Sequence, residues 1–111
     1  MYTLQSLLGS ESCEQVLIFI LARQKGYPLE IANFYLVSKL PIQKQMSKLE
    51  VGNILVSHTV GRTRVYQFNP RYPFLKEIKA LLQKALSFYP EQIQEELMMN
   101  RRRPRRAGKP L

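Results

Sequence analysis

A chain of 111 residues with 45% hydrophobic content can build one small core and is too apolar for wholesale disorder. Seventeen Lys and Arg against eight Glu, with no Asp, give a net charge of +9, which suits a polyanion such as nucleic acid or an acidic membrane surface. The longest apolar run, Val16 to Ala22, is far short of the ~20 residues a membrane span needs. No basic segment precedes an apolar one at the N-terminus, so a secretory signal is not expected.

In chain order, Leu4, Leu7 and Leu8 have helical spacing and stop at Gly9, a short lead-in helix or turn. Ser12 and Gln15 fit a capping box opening a helix over about 12–24, apolar nearly all round and therefore central. Lys25-Gly26 should end it. After an extended Tyr27-Pro28, a short helix from Leu29 to Leu36 should turn Leu29, Ile31, Ala32 and Tyr35 or Leu36 inward. Ser38 is a suitable N-cap for a third helix to about Val51, with Ile42, Met46 and Leu49 as its buried stripe. Gly52-Asn53 closes that helix.

The period then changes. Ile54 to Val60 and Thr63 to Phe68 are rich in β-branched and aromatic residues and flank Gly61-Arg62, the pattern of a hairpin with a two-residue turn. A long helix follows from about Pro73 to Phe88, with one apolar seam of Phe74, Ile78, Leu81 and Ala85 and a second of Leu75, Leu82, Leu86 and Tyr89. A short helix after Pro90 pairs Ile93 with Leu97, and from Asn100 apolar periodicity ceases. Two short helices on a scaffold helix, followed at once by a two-stranded ribbon, describe a winged helix-turn-helix. The expected fold is mainly α with a β-hairpin wing. It divides into a winged domain at 1–72, a helical dimerisation segment at 73–99 and a basic, disordered tail at 100–111.

Enzymatic patterns are absent: no HExxH, CxxC, GxGxxG or GxSxG occurs. The Glu residues sit singly, mostly on expected helix surfaces, so no acid–base pair is foreseen. His58 and Cys13 are the sole residues of their kinds, too few for a metal site. Cys13 has no disulfide partner, favours a reducing cytoplasmic setting and reads as a packing residue. No catalysis, metal or cofactor is expected.

The third helix carries the informative face. With Ile42, Met46 and Leu49 inward, it presents Lys39, Gln43, Lys44 and Ser47, with Lys48 at the margin and no acid among them. Lys can hold phosphate or guanine, Gln can bond adenine bidentately, and Ser can serve base or backbone. An ordinary wet helix face would also be rich in Lys and Gln. This topology places that helix in the major groove, which favours DNA. Arg62 and Arg64 at the wing tip can enter the minor groove, or can simply guard a sheet edge against aggregation.

The tail holds six of the nine net positive charges, through Arg101, Arg102, Arg103, Arg105, Arg106 and Lys109, leaving +3 for the rest. Arginines beside Gly and Pro loosely resemble an AT-hook arm, although the Arg-Gly-Arg-Pro core is missing. Nonspecific phosphate attachment is the expectation, with RNA as an alternative target. The two seams of the long helix exceed what so small a domain can cover. One should pack on the first helix and the other on a second subunit, drawing on Phe74, Leu75, Ile78, Leu81, Leu82, Ala85 and Leu86. The competing arrangement folds the final helix back over that seam.

Together, Leu7-Leu8-Gly9-Ser10, Tyr27-x-x-Glu30-Ile31-Ala32, Ser38 to Gly52 and Gly61-Arg62 through Tyr66-x-Phe68-Asn69-Pro70 resemble the ArsR-like winged-helix regulators of bacteria and archaea. The similarity is greatest to small members found with nucleotidyltransferase domains and covers about residues 4–88. It implies a prokaryotic, dimeric repressor or related DNA-binding protein. Its recognition positions map onto Ser38, Lys39, Gln43, Lys44 and Ser47, and its wing onto Arg62 and Arg64. The chain departs from metal-sensing members by lacking their Cys and His/Asp ligand sets, and Phe34-Tyr35-Leu36-Val37 is bulkier than the usual Gly-containing turn.

The expected function is a homodimeric, sequence-specific regulator on double-stranded DNA. Its first rival is a protein-interaction module or antitoxin-like partner of a nucleotidyltransferase. RNA binding through the tail follows, and membrane-surface attachment comes last because no amphipathic basic helix adjoins the tail.

Overall fold

The computed structural model describes residues 1–99. The elements run α1 (Gln5–Leu8), α2 (Glu11–Arg23), α3 (Pro28–Tyr35), α4 (Lys39–Val51), β1 (Leu55–Val60), β2 (Thr63–Phe68), α5 (Leu75–Ser87) and α6 (Glu91–Met99). The element order matches the sequence expectation, with boundaries moved by one or two residues.

α2 is the scaffold. Val16, Leu17, Ile18, Phe19 and Ile20 are fully buried, and the helix packs against every other helix and against β2. That is the physical meaning of a helix apolar all round: neighbours lie on each side of it. Its cap is Ser10, not Ser12. Gly9 closes α1 in the left-handed region at φ 94°. Ser10 is the next, extended residue, and its Oγ accepts from the Cys13 N–H at 3.1 Å. At the other end Gln24, rather than Lys25-Gly26, takes the left-handed turn at φ 76°.

Gly26 has a different task. It forms an isolated antiparallel bridge with Tyr66 of β2 through hydrogen bonds of 3.0 and 2.8 Å. A Cβ there would sit 2.9 Å from Cε1 of the buried Phe19 ring, so the close approach of backbone to core requires glycine.

α3 opens at Pro28, and the Glu30 carboxylate accepts from the Tyr27 N–H at 3.3 Å. Ile31 and Ala32 are buried as expected, but Leu29 and Leu36 are exposed. Leu36 leaves the helix with φ 59°, which swings its side chain outward. Of the two alternatives for the inward place Tyr35 takes it, half-buried against the core beside Phe34.

The hairpin register runs from Leu55 opposite Phe68 to Val60 opposite Thr63, which leaves Gly61 (φ 64°) and Arg62 as the two-residue turn. Leu55, Tyr66 and Phe68 face the core.

The long helix corrects part of the proposed subunit contact. Leu82, Ala85 and Leu86 are buried within the single chain, in one cluster with α2, Tyr89 and Leu97 of α6. Leu75 and Ile78 are half-buried against the same cluster. Leu82, Ala85 and Leu86 thus belong to the chain's own core, and Leu75 and Ile78 pack at its edge. Phe74 and Leu81, with Phe88 one heptad further on, remain 60%, 39% and 64% exposed.

α6 folds back onto α2. Arg23 clamps its end, donating to the carbonyls of Leu97 and Glu96 at 3.0 Å each while its guanidinium lies over the rings of Phe19 and Phe34. A cation at the last carbonyls of a helix complements its dipole.

Candidate nucleic-acid interface

α4 leans on α2 and α3 through Ile42, Met46 and Leu49, all buried. This stripe sets the helix rotation, because residues three and four apart share a face. The outward side therefore carries Lys39, Leu40, Gln43, Lys44, Ser47 and Lys48, every one exposed. Ser38 is the exposed N-cap residue, and its hydroxyl makes no capping bond.

The charge pattern at the start of α4 is distinctive. Among the helices of eight or more residues, α2, α3, α5 and α6 each hold an acid in the first turn, whereas α4 holds none. Free N–H groups and the positive end of the dipole at a helix start attract anions. Its single carboxylate, Glu50, lies in the last turn and accepts from the Ser57 hydroxyl of β1 at 2.6 Å. Ser57 in turn accepts from Arg64 Nη1 at 2.7 Å. This chain joins the wing to α4 and holds Arg64 against the strand, so Arg62 is the arginine carried in the exposed turn itself. His58 is also exposed on the wing.

The remaining chemistry lies elsewhere. Cys13 is buried, and that burial pushes its thiol pKa up. Burial likewise raises the phenols of Tyr35 and Tyr89 above the ordinary value. Glu14 departs from the surface setting expected of most Glu residues and is fully buried. Its carboxylate accepts from the Leu4 N–H at 2.9 Å and the Tyr89 hydroxyl at 2.7 Å. Among the described residues no three His, Cys, Asp or Glu come together as a possible metal site. A half-open pocket of about 410 Å³ behind the wing is lined by Gln24, Lys25, Gln67 and Lys79 over Ile20, Leu21, Phe68, Pro70 and Leu75. Its lining includes no carboxylate, His or Cys.

Sequence reasoning overlooked Leu40 on the outward face, Glu14 in the core and Arg23 as the α6 clamp. Leu40 was legible: it precedes Gln43 and Lys44 by three and four residues, which places it on their face. Arg23 and Glu14 join partners distant in sequence and carry no local signal. Arg101, Arg102, Arg103, Arg105 and Arg106 lie outside the described residues.

No protein-family model and no curated protein matches the sequence. Solved structures do resemble the fold. A double-mutant ZitR of Lactococcus lactis, in its apo form, aligns with a TM-score of 0.54 and 20% identity over 85% of this chain and 80% of that one. The adhesin competence repressor AdcR of Streptococcus pyogenes aligns with a TM-score of 0.55 and 14% identity over 85% of this chain and 79% of that one. The chain has a winged helix-turn-helix fold. At these identities the likeness speaks for architecture. Among the described residues no helix is long and apolar enough to cross a membrane.

Proposed function

We propose that the protein is a non-catalytic, sequence-specific transcription regulator that binds double-stranded DNA as a dimer and acts as a repressor. The observation that carries this is the exposed, acid-free face from Lys39 to Ser47 at the start of α4. In this fold the second helix of the helix-turn-helix enters the major groove by its N-terminal residues. Lys39, Lys44 and Lys48 would meet phosphates, Gln43 and Ser47 the base edges, and Arg62 the flanking minor groove, with Ser38 at the helix entry. Arg64 would support the wing through Ser57. Repression is inferred from the ArsR-like sequence motifs and from the function named for AdcR. A cytoplasmic setting goes with that role.

The dimer would use the exposed part of the α5 seam. Phe74, Leu81 and Phe88 recur every seven residues, and an apolar groove of about 270 Å³ beside them is lined by Thr3, Leu4, Leu81, Lys84, Ala85 and Phe88. Pairing two such faces would set two α4 helices about one DNA turn apart, ~34 Å.

Selection of bound duplexes from a random pool tests the reading directly. A palindromic site should be enriched, Gln43→Ala should relax its sequence preference, and Lys44→Ala should weaken all sequences alike. A pool returned without enrichment, together with binding that survives high salt, would discard it.

A further inference from the structure

We propose that Leu40 is a specificity-determining residue that reads the C5-methyl group of thymine. The inference rests on the reading of α4 as the helix that enters the major groove, and adds the base class that its apolar part selects.

Leu40 is the second residue of α4 and is 61% exposed. The core does not require it there, since Ile42, Met46 and Leu49 supply the whole buried stripe of the helix. It shares its face with Gln43, Lys44 and Ser47, three, four and seven residues on. One large aliphatic side chain thus projects from the first turn of a face that is otherwise cationic and polar. That first turn is the part of a recognition helix that comes nearest the bases.

Base edges in the major groove offer nitrogen and oxygen donors and acceptors, and one apolar group, the thymine methyl. An aliphatic side chain among Lys, Gln and Ser gains there by covering that methyl. Opposite guanine or cytosine it would cover polar atoms without bonding them, which is unfavourable. Gln43 stands one turn further along the same face and suits adenine. Leu40 and Gln43 together therefore select an A·T-containing half-site, while the lysines hold the helix to phosphates of either strand. Val51 is also exposed, but in the last turn of α4, away from the end that reaches bases.

The experiment uses the full chain and the duplex enriched from the random pool. Each thymine is replaced singly by deoxyuridine, which removes the methyl and leaves base pairing and the O4 acceptor intact. Wild type should lose roughly fourfold in affinity at one or two positions in each half-site, the worth of one buried methyl-sized group. Leu40→Ala should bind the thymine and uracil duplexes equally, and Val51→Ala should keep the wild-type difference. Both positions are exposed, and an unchanged thermal transition will verify folding. Wild-type indifference to uracil at every position overturns the proposal while leaving the regulator reading intact. So does a thymine preference that survives in Leu40→Ala. A protein that enriches no duplex overturns both.

Discussion

The Tyr89 hydroxyl donates to Glu14 Oε2 at 2.7 Å, a buried bond between residues 75 positions apart. Through its other oxygen Glu14 accepts the Leu4 N–H at 2.9 Å. One carboxylate on the scaffold helix thereby ties the N-terminal turn and the α5–α6 junction to the core. Tyr89→Phe keeps the ring and leaves that oxygen without its donor. It should cost about 1–3 kcal/mol of folding stability. Urea unfolding will read this as a lower midpoint at unchanged slope, and an unchanged midpoint would show that the bond contributes nothing.

Stability should also fall at alkaline pH. Burial raises the pKa of Tyr2, Tyr35 and Tyr89 above the ordinary 10.0, and at Tyr89 the hydrogen bond to Glu14 adds to it. The folded state therefore favours the protonated phenols. Their contribution is complete below about pH 10, the unfolded value, and is lost as pH rises above it, because the unfolded chain then holds fewer protons. Cys13, raised from 9.0 by burial, adds a loss that begins about one unit lower. Denaturant midpoints from pH 8 to 11 should show the decline, and Tyr89→Phe should make it shallower.

Neighbouring leucines on α5 should behave oppositely. Leu82 is 1% exposed and Leu81 39%. Leu82→Ala should cost roughly 2–5 kcal/mol of stability through cavity formation. Leu81→Glu should leave the fold intact and, if the exposed seam joins two subunits, shift sedimentation from dimer to monomer. A fully dimeric Leu81→Glu would move the subunit contact elsewhere.

Removal of residues 101–111 deletes five arginines and Lys109. If those five arginines neutralise phosphates, the slope of log K against log salt should flatten by up to ~4.5. The sequence preferred in selection should stay the same, because phosphate contacts carry no sequence information. An identical slope with and without the tail would exclude it from the DNA contact.

Patterns of period and punctuation, which act over a few residues, were legible in the chain. The central, mostly apolar α2, the Ile42-Met46-Leu49 stripe and the Gly61-Arg62 turn follow from side-chain spacing and from glycine's access to positive φ. The outward face of α4 was legible for the same reason, since a buried stripe dictates its opposite. Tertiary packing decided what local pattern leaves degenerate. Two apolar seams on α5 look alike in sequence, and only the placement of α2 and α6 determines that Leu82, Ala85 and Leu86 enter the core while Phe74 and Leu81 face outward. Gly26 reads as a helix stop until β2 arrives beside it. Glu14 reads as a surface acid until Tyr89 and Leu4 close over it. Each outcome depends on a contact between distant segments, and spacing within one helix holds no record of the partner that will cover it.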